Sequence, residues 1–221
     1  MSRSRWDPER LRAAMAVYLV AGPEQTGDDL LAACRAALAN GATCLQLRAK
    51  ALGGRDQLAL ALAMRELAHA RGALFVVNDR VDVAVAAKAD GVHVGVSDLP
   101  LEATRAIVGP GLFVGYSPYR LDDVAAAAGR GADYVGLGPV FATGSKADAD
   151  PPIGLDGLAA RAAAAGLPTV GIGGITVGNA GEVVSAGADG VAVISAILRA
   201  NDPGAAAAAL AAAVVRGRRE R

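Results

Sequence analysis

The sequence predicts an α/β protein with a single domain, a (β/α)8 TIM barrel that covers residues 1–221. A unit of four to seven aliphatic residues, a polar or Gly-containing break and an Ala-rich helical segment occurs eight times, as expected for this fold. Hydrophobic residues make up 53% of the chain but aromatic residues only 4%, which suits aliphatic layers between helices and a buried parallel sheet. Together these observations favour the barrel.

The predicted elements alternate along the whole chain. The strands are expected at Val17 to Val20, Cys44 to Leu47, Leu74 to Val77, Gly91 to Val94, Leu112 to Val114, Tyr134 to Leu137, Thr169 to Ile172 and Gly190 to Ile194. The helices are expected at Asp28 to Ala39, Arg55 to Ala70, Val81 to Lys88, Leu101 to Ile107, Leu121 to Ala128, Leu155 to Ala165, Val177 to Ala186 and Pro203 to Val215. Residues 1–14 are interpreted as an N-terminal extension and 216–221 as a basic tail.

A doubly wound open sheet is the alternative fold, because it also alternates strands and helices. However, the first strand is not followed by a Gly-x-Gly-x-x-Gly motif, and polar residues follow most strands instead of clustering at one position. Before several strands the chain carries Gly next to an Ala-Asp pair, as in Ala89-Asp90-Gly91 and Gly131-Ala132-Asp133. We expect these glycines to form left-handed caps at the helix ends.

Charge and cysteine content exclude several classes of protein. The formal net charge is zero, which argues against a nucleic-acid partner. Cys34 and Cys44 lack the spacing of metal ligands, so we expect buried thiols in a reducing compartment. The sequence lacks the run of 18 or more apolar residues that a membrane helix needs, and we expect a cytoplasmic protein. The sequence shows no interface pattern and leaves a homo-oligomer open.

Two carboxylates follow the third and fourth predicted strands. Asn78 and Asp79 come directly after one strand, and Asp98 follows the next after a break at Gly95. If these strands are parallel neighbours, the carboxylates open on the same side and suit Mg²⁺, which takes one or two protein carboxylates. The alternative is that Asp79 caps the next helix and Asp98 stabilises a turn.

The second strand carries Gln46, Arg48 and Lys50 at alternate positions, so all three side chains face the mouth of the barrel. Burying the charged side chains of Arg48 and Lys50 there without an anion would be energetically unfavourable, which predicts an anionic ligand. His93, in the fourth strand, faces the interior of the barrel, where it could be a core residue or contact substrate.

The loops after the last three strands suggest further anion contacts. The segment from Phe141 to Pro152 is long and flexible in composition and holds a cation, which suits a mobile lid; its polar residues are Thr143, Ser145 and Lys146. Gly173, Gly174 and Ser195 stand where barrels of this kind bind a phosphate. A phosphate site next to a second cluster of cations and carboxylates is typical of pyrophosphate displacement.

The chain resembles the thiamine phosphate synthase family in a series of motifs that occur in the same order and cover nearly the whole barrel. The motifs are LQLRAK, VVNDRVDVAVAAKADGVHVG, DYVGLGPVFATGSK, IGLDGL and VGIGGI followed by GVAVISAI. The resemblance implies a transferase that joins 4-amino-2-methyl-5-hydroxymethylpyrimidine diphosphate to 4-methyl-5-(2-phosphoethyl)thiazole, or its carboxylated form. Pyrophosphate would leave in a dissociative substitution.

The resemblance also implies roles for individual residues. The pyrimidine diphosphate would be held by Gln46, Arg48, Lys50 and Asn78, Mg²⁺ by Asp79 and Asp98, and the thiazole side by Thr143, Ser145, Gly173, Gly174, Ile194 and Ser195. The groups closest to the chemistry would be Lys50, Ser117 and Lys146.

The chain departs from the family pattern at two turns. Val96 and Ser97 stand where the family commonly has Gln and an acidic residue, and Pro118 and Tyr119 where it commonly has a His. The alternatives are a thiazole tautomerase-like barrel, a non-catalytic barrel that binds a phosphorylated ligand, or a sugar-phosphate isomerase. The first would leave the carboxylates and lysines without a role, and the departures at the two turns give slight support to the second. The third needs a general base, for which His93 alone is a poor candidate.

Overall fold

Eight parallel strands form a closed barrel in sequence order, and β1 pairs with β8 to complete it. The computed structural model describes residues 6–26, 29–144 and 150–221. The strands are β1 Val17–Ala21, β2 Cys44–Leu47, β3 Leu74–Asn78, β4 Gly91–Gly95, β5 Phe113–Ser117, β6 Tyr134–Leu137, β7 Thr169–Ile172 and β8 Gly190–Val193. The (β/α)8 prediction is confirmed, and the open sheet is excluded because a closed barrel has no edge strand.

Helices cover the outside of the barrel. Their bounds are α1 Pro8–Ala14, α2 Pro23–Thr26, α3 Leu30–Ala39, α4 Gly54–His69, α5 Val81–Ala86, α6 Leu101–Val108, α7 Leu121–Arg130, α8 Gly154–Ala165, α9 Ala180–Ser185, α10 Ser195–Leu198 and α11 Pro203–Arg219. Helices α1, α2 and α10 were not predicted. The short α2 and α10 contain only four residues each, too few for a helical period to be visible in the sequence.

Strand β5 differs from its prediction. The apolar run ends at Val114, but the strand continues through Gly115 to Ser117 because β4 pairs with it residue by residue up to Gly95 and Ser117. The backbone ladder therefore extends β5 beyond its aliphatic part. This extension brings Ser117 to the mouth of the barrel.

The N-terminal residues pack against the lower end of the barrel. Leu11 and Met15 are fully buried, and the Trp6 indole Nε1–H donates a hydrogen bond of 3.0 Å to the carbonyl of Gly111. The Trp6 ring also lies edge-on to Phe113 with 5.0 Å between centroids. Part of the predicted extension is thus a helix in contact with the core. At the other terminus, α11 runs to Arg219 and includes part of the predicted basic tail.

Three aspartates at helix exits tie neighbouring strands together. Each uses one carboxylate oxygen to accept a backbone N–H of an adjacent strand at 2.8 Å; the pairs are Asp90 with Phe75, Asp133 with Val114, and Asp189 with Thr169. A carboxylate that accepts a backbone N–H makes a charge-assisted hydrogen bond, which is stronger than a neutral one. The recurring Ala-Asp pair therefore holds the barrel closed at its lower end.

The glycines of these exits behave as expected in two cases and not in a third. Gly131 and Gly187 adopt positive φ, the left-handed conformation expected of a cap. Gly91 does not, because it already belongs to β4, and its pairing with Phe113 of β5 requires extended backbone. The expectation for Gly91 was wrong for that reason.

The core is aliphatic, with two tyrosines and two phenylalanines among its largest buried side chains. Cys34 and Cys44 are free and buried, as predicted, and burial raises the pKa of the Cys34 thiol to about 12. The pKa of Cys44 is raised further by its complete burial. In the described ranges, no helix is long and apolar enough to cross a membrane.

Candidate active site

A cavity of about 690 Å³ opens at the carboxyl ends of the strands. This is within the range of roughly 300–1,000 Å³ that is usual for small-molecule sites. The cavity is lined by thirteen of the residues predicted for the site: Gln46, Arg48, Lys50, Asn78, Asp79, His93, Asp98, Ser117, Thr143, Gly173, Gly174, Ile194 and Ser195. The other two, Ser145 and Lys146, lie outside the described residues.

The two carboxylates lie side by side because β3 and β4 are parallel neighbours. Burial, followed by the adjacent Asp98, raises the pKa of Asp79 from 3.8 to about 6, although Lys50 opposes the shift. Asp98 Oδ2 accepts the N–H of Gly95 at 2.8 Å, so this side chain also stabilises its own turn. Helix α5 begins after Asp79, with Arg80 in the N-cap position, so the capping alternative does not apply to Asp79.

The backbone at Asp79 is unusual. Its φ is +61°, in the left-handed region, and its N–H donates to the carbonyl of His93 at 2.8 Å. Asp and Asn adopt this conformation more readily than other residues with side chains. The sequence therefore has a local reason to place an aspartate at this bend, and the bend directs the carboxylate towards Asp98.

Such a pair could hold a hard divalent cation. The described residues contain no group of three or more His, Cys, Asp or Glu side chains that could hold a metal ion. Mg²⁺ needs only one or two protein carboxylates and takes its other oxygens from water and phosphate. Burial, followed by the adjacent Asp98, raises the pKa of Asp79, and a cation next to both carboxylates would favour their charged forms.

The ammonium group of Lys50 lies next to the carboxylates. Lys50 Nζ is 3.5 Å from Asp79 Oδ2, and the Lys50 side chain is 58% exposed towards the cavity mouth. Arg48 lies two residues earlier, and both side chains line the cavity. The loop after β2 therefore faces the loop after β3 with opposite charge.

Gln57, which sequence reasoning missed, connects these two loops. This residue of α4 is 3% exposed; its Nε2 donates to the Ala49 carbonyl at 3.3 Å, and its Oε1 accepts from Arg80 Nη1 at 3.1 Å. Gln57 lies on the same buried helix face as Ala61 and Met64. An amide among apolar residues at helical spacing was the available signal, because a buried polar group needs a partner.

The loops after β6 and β7 pack closely at the opposite side of the cavity. Gly173 and Gly174 have φ of +96° and +66°. A Cβ on Gly173 would lie 2.5 Å from the Pro139 Cβ, and one on Gly174 would lie 2.5 Å from the Ala142 carbonyl oxygen. Only glycine fits both positions, and Ser195, the first residue of α10, lines the same cavity.

A row of hydrogen bonds crosses the barrel among residues that line the cavity. Gln46 Nε2 donates to Tyr18 Oη at 2.7 Å, and the Tyr18 and Tyr134 hydroxyls are 2.8 Å apart. Tyr134 Oη lies 2.7 Å from His93 Nδ1, and His93 Nε2 lies 2.8 Å from Ser117 Oγ. We call these five residues the lumen relay. His93 thus has both roles considered for it: it is held within the core and also lines the cavity.

The two tyrosines of the relay were not predicted as site residues. Both line the lower part of the cavity and are no more than 1% exposed. The available signal was a tyrosine inside each of two aliphatic strands, because a buried tyrosine hydroxyl usually has a hydrogen-bond partner.

The departures from the family pattern all lie at the rim. Val96, Ser97, Pro118 and Tyr119 line the cavity mouth on the loops after β4 and β5. Val96 is 61% exposed and Tyr119 is 41% exposed, so this side of the rim is apolar. None of the four belongs to the carboxylate pair or the glycine loops, although Val96 and Ser97 lie in the turn that Asp98 stabilises.

Residues 17–197 match the family model described as thiamine monophosphate synthase. This range contains all eight strands and the fifteen residues predicted for the site. The chain belongs to the thiamine monophosphate synthase family. The family assignment confirms the resemblance inferred from the sequence motifs.

Relatives of this family member support the assignment. The chain is 53% identical over 192 residues to the thiamine-phosphate synthase of Laribacter hongkongensis, covering 86% of this chain and 90% of that protein. It is 52% identical over 201 residues to the thiamine-phosphate synthase of Methanoculleus marisnigri, covering 89% and 94%. A solved thiamine phosphate pyrophosphorylase from Pyrococcus furiosus is 38% identical, with a TM-score of 0.86 and coverage of 94% and 99%. The tautomerase-like and non-catalytic alternatives are not favoured.

Proposed function

We propose that this family member is a thiamine-phosphate synthase, a transferase that couples the pyrimidine diphosphate to the thiazole phosphate and releases pyrophosphate. The observation that carries this proposal is one cavity lined by two separate groups of residues suited to anions, with a carboxylate pair beside one of them. A single phosphate ligand would not need both regions. Two phosphorylated substrates would.

The loops after β2 and β3 suit the pyrimidine diphosphate. The cationic side chains of Arg48 and Lys50 would contact the diphosphate, while Gln46 and Asn78 offer amide groups to the pyrimidine. Arginine and lysine both bind phosphate oxygens through charge-assisted hydrogen bonds. Lys146, in the loop after β6, is proposed as a further diphosphate contact by its match to the family motif.

The loops after β7 and β8 suit the thiazole phosphate. Gly173 and Gly174 leave backbone N–H groups accessible, and Ser195 adds a hydroxyl; Ile194 lies beside them. Thr143 lines the cavity, and both Thr143 and Ser145 are proposed for the thiazole side by their match to the family motif. Backbone N–H groups in consecutive left-handed residues form a concave anion site, which fits one monophosphate.

We propose that Asp79 and Asp98 hold Mg²⁺. The donor set fits, because two adjacent carboxylates leave the remaining positions to water and diphosphate oxygens. When bound, the ion supplies positive charge to the departing pyrophosphate. Lys50, 3.5 Å from Asp79, can contact both the carboxylate and the diphosphate and so keeps this side of the cavity electrostatically balanced.

The reaction needs stabilisation of the leaving group more than it needs a general base. The bond between the pyrimidine methylene carbon and the diphosphate oxygen breaks, and its electron pair leaves with pyrophosphate. The thiazole nitrogen then donates its lone pair to the methylene cation and forms the new C–N bond. Lys50, Arg48 and the Ser117 hydroxyl would stabilise the developing negative charge, and such electrostatic stabilisation is usually the largest contribution to the rate.

The direct test supplies purified protein with both substrates and Mg²⁺ and measures pyrophosphate and thiamine phosphate. We expect equal amounts of both products. Asp98→Ala should lower kcat/KM by roughly 100-fold, because charge stabilisation by a bound metal is worth several kcal/mol. Excess Mg²⁺ should restore only part of the activity.

The matched control is Asp122→Ala, which removes an exposed carboxylate from the first turn of α7, away from the cavity lining. This variant should keep the wild-type rate. Absence of both products with every divalent metal tried would refute the synthase assignment, and an equal loss in the two variants would refute the metal site.

A further inference from the structure

The direction of every hydrogen bond in the lumen relay follows from its first member. An amide Nε2 can only donate, so Tyr18 Oη accepts from Gln46, and the Tyr18 proton is then available to Tyr134 Oη, 2.8 Å away. In this direction Tyr134 donates its proton to His93 Nδ1. A neutral imidazole with an acceptor at Nδ1 carries its proton on Nε2 and donates to Ser117 Oγ.

This direction leaves the hydroxyl proton of Ser117 available at the end of the row. Ser117 Oγ accepts from His93, so its own proton is not used within the relay. The hydroxyl lines the cavity on the side of the carboxylate pair. At the other end, Gln46 Oε1 remains as an acceptor, because Nε2 is the atom bonded to Tyr18.

The tyrosines are suited to keep this direction. Burial raises the pKa of both phenols well above the ordinary value of 10.0, so both retain their protons at neutral pH. Both side chains are no more than 1% exposed, so bulk water has little access to their hydroxyls. Buried hydrogen-bond networks of this kind strengthen and orient one another.

Two glycines make room for the relay. A Cβ on Gly115 of β5 would collide with the Tyr134 ring and with His93 Nδ1. A Cβ on Gly136 of β6 would lie 3.1 Å from Ser117 Oγ and 3.4 Å from His93 Cε1. Glycine lowers the stability of a strand, so its presence at both positions is explained by the side chains that occupy the space.

We propose that the lumen relay is a positioning device, in which the Gln46 amide sets the proton direction of the whole row. It turns the Ser117 hydroxyl proton towards the leaving pyrophosphate and Gln46 Oε1 towards the exocyclic amino group of the pyrimidine. Tyr18, Tyr134 and His93 are positioning residues in this account. The roles of the two ends rest on the proposed function, whereas the direction of the row does not.

The direction can be measured in the ligand-free protein by ¹⁵N NMR of labelled histidine. The chain has two histidines, so His69→Asn assigns the signals of His93. Wild type should show the Nε2–H tautomer of His93 at pH 8.5. A proton on Nδ1, or on both nitrogens, would overturn the proposal without bearing on the synthase activity.

Gln46→Glu tests whether the first member controls the row. At pH 8.5 an ionised carboxylate can only accept, so Tyr18 must donate to it and every bond reverses, which moves the His93 proton to Nδ1. Tyr134→Phe interrupts the row, so in that background Gln46→Glu should leave the His93 spectrum unchanged. A His93 spectrum that is the same in Gln46→Glu as in wild type would overturn the proposal.

Kinetics test the consequence for Ser117. Ser117→Ala should lower kcat at least tenfold in the wild-type background but less than about twofold in the Gln46→Glu background, because the reversed row has already consumed the serine proton. Equal losses in both backgrounds would contradict the proposal. A wild type that shows the expected tautomer but releases no pyrophosphate would instead refute the proposed function alone.

Discussion

Replacement of Asp79 by Asn should stabilise the metal-free protein at neutral and alkaline pH. The pKa of Asp79 is raised from 3.8 to about 6, chiefly by burial and then by Asp98. An acid with a raised pKa binds its proton more tightly in the folded state, so stability is lost as pH rises from the unfolded to the folded pKa. The shift of 6 minus 3.8, or 2.2 pH units, corresponds to roughly 3 kcal/mol above pH 6.

Asn removes this charge and retains the preference for the left-handed backbone at φ +61°. The variant should therefore be more stable than wild type by up to about 3 kcal/mol at pH 8 and equally stable near pH 4. In a domain of this size that difference is about 6–12 °C in Tm. The measurement is urea and thermal unfolding in a chelator from pH 4 to pH 8.5.

Asp82→Asn is the matched control. Asp82 lies three residues away, and its pKa is lowered mainly by the side-chain hydrogen bond from Arg80. Its contribution is therefore present above the unfolded pKa and lost as pH falls, so this variant should be no more stable than wild type at pH 8. Added Mg²⁺ should stabilise wild type and narrow the gap to Asp79→Asn, since a ligand of the folded state raises stability. A wild type as stable as Asp79→Asn at pH 8 would refute the reasoning.

Three further outcomes are expected. Gly174→Ala should raise the KM for the thiazole phosphate at least tenfold, about 1.4 kcal/mol, because its Cβ would lie 2.5 Å from the Ala142 carbonyl oxygen; an unchanged KM would contradict the cradle. Ser195→Ala should raise the same KM by about 10- to 100-fold and leave the KM of the pyrimidine diphosphate unchanged, since one hydrogen bond to a charged group is worth roughly 1.5–3 kcal/mol. Cys34 and Cys44 should not react with a thiol reagent at pH 8 until the protein unfolds, because both are buried with raised pKa values; rapid labelling in native buffer would show otherwise.

The barrel could be predicted because its signal is repeated. Each strand is a short aliphatic run and each long helix an Ala-rich segment, so an error in one element does not change the count of eight. The errors occurred where local pattern and tertiary pairing disagree. Strand β5 continues through Gly115 because β4 supplies a hydrogen-bonding partner for it, and no local periodicity reports that pairing.

The site was predictable in part for the same reason. Asp79, Lys50 and Gly174 follow strands, and in a barrel the carboxyl ends of all strands meet at one mouth. Gln57 and Tyr134 were missed because their importance depends on partners far away in the chain. A buried amide or phenol signals that it needs a partner, but its own sequence neighbourhood does not identify that partner.

The sequence by itself determined the fold class, the family and the edge of the barrel at which the polar residues meet. Those features depend on period, composition and order along the chain, all of which are local or repeated. Only the tertiary structure decided which side chains touch: the carboxylates of Asp79 and Asp98, and the relay from Gln46 to Ser117. Hydrogen-bond direction and pKa depend on distances of a few ångströms between distant segments, and closure of the barrel is what sets those distances.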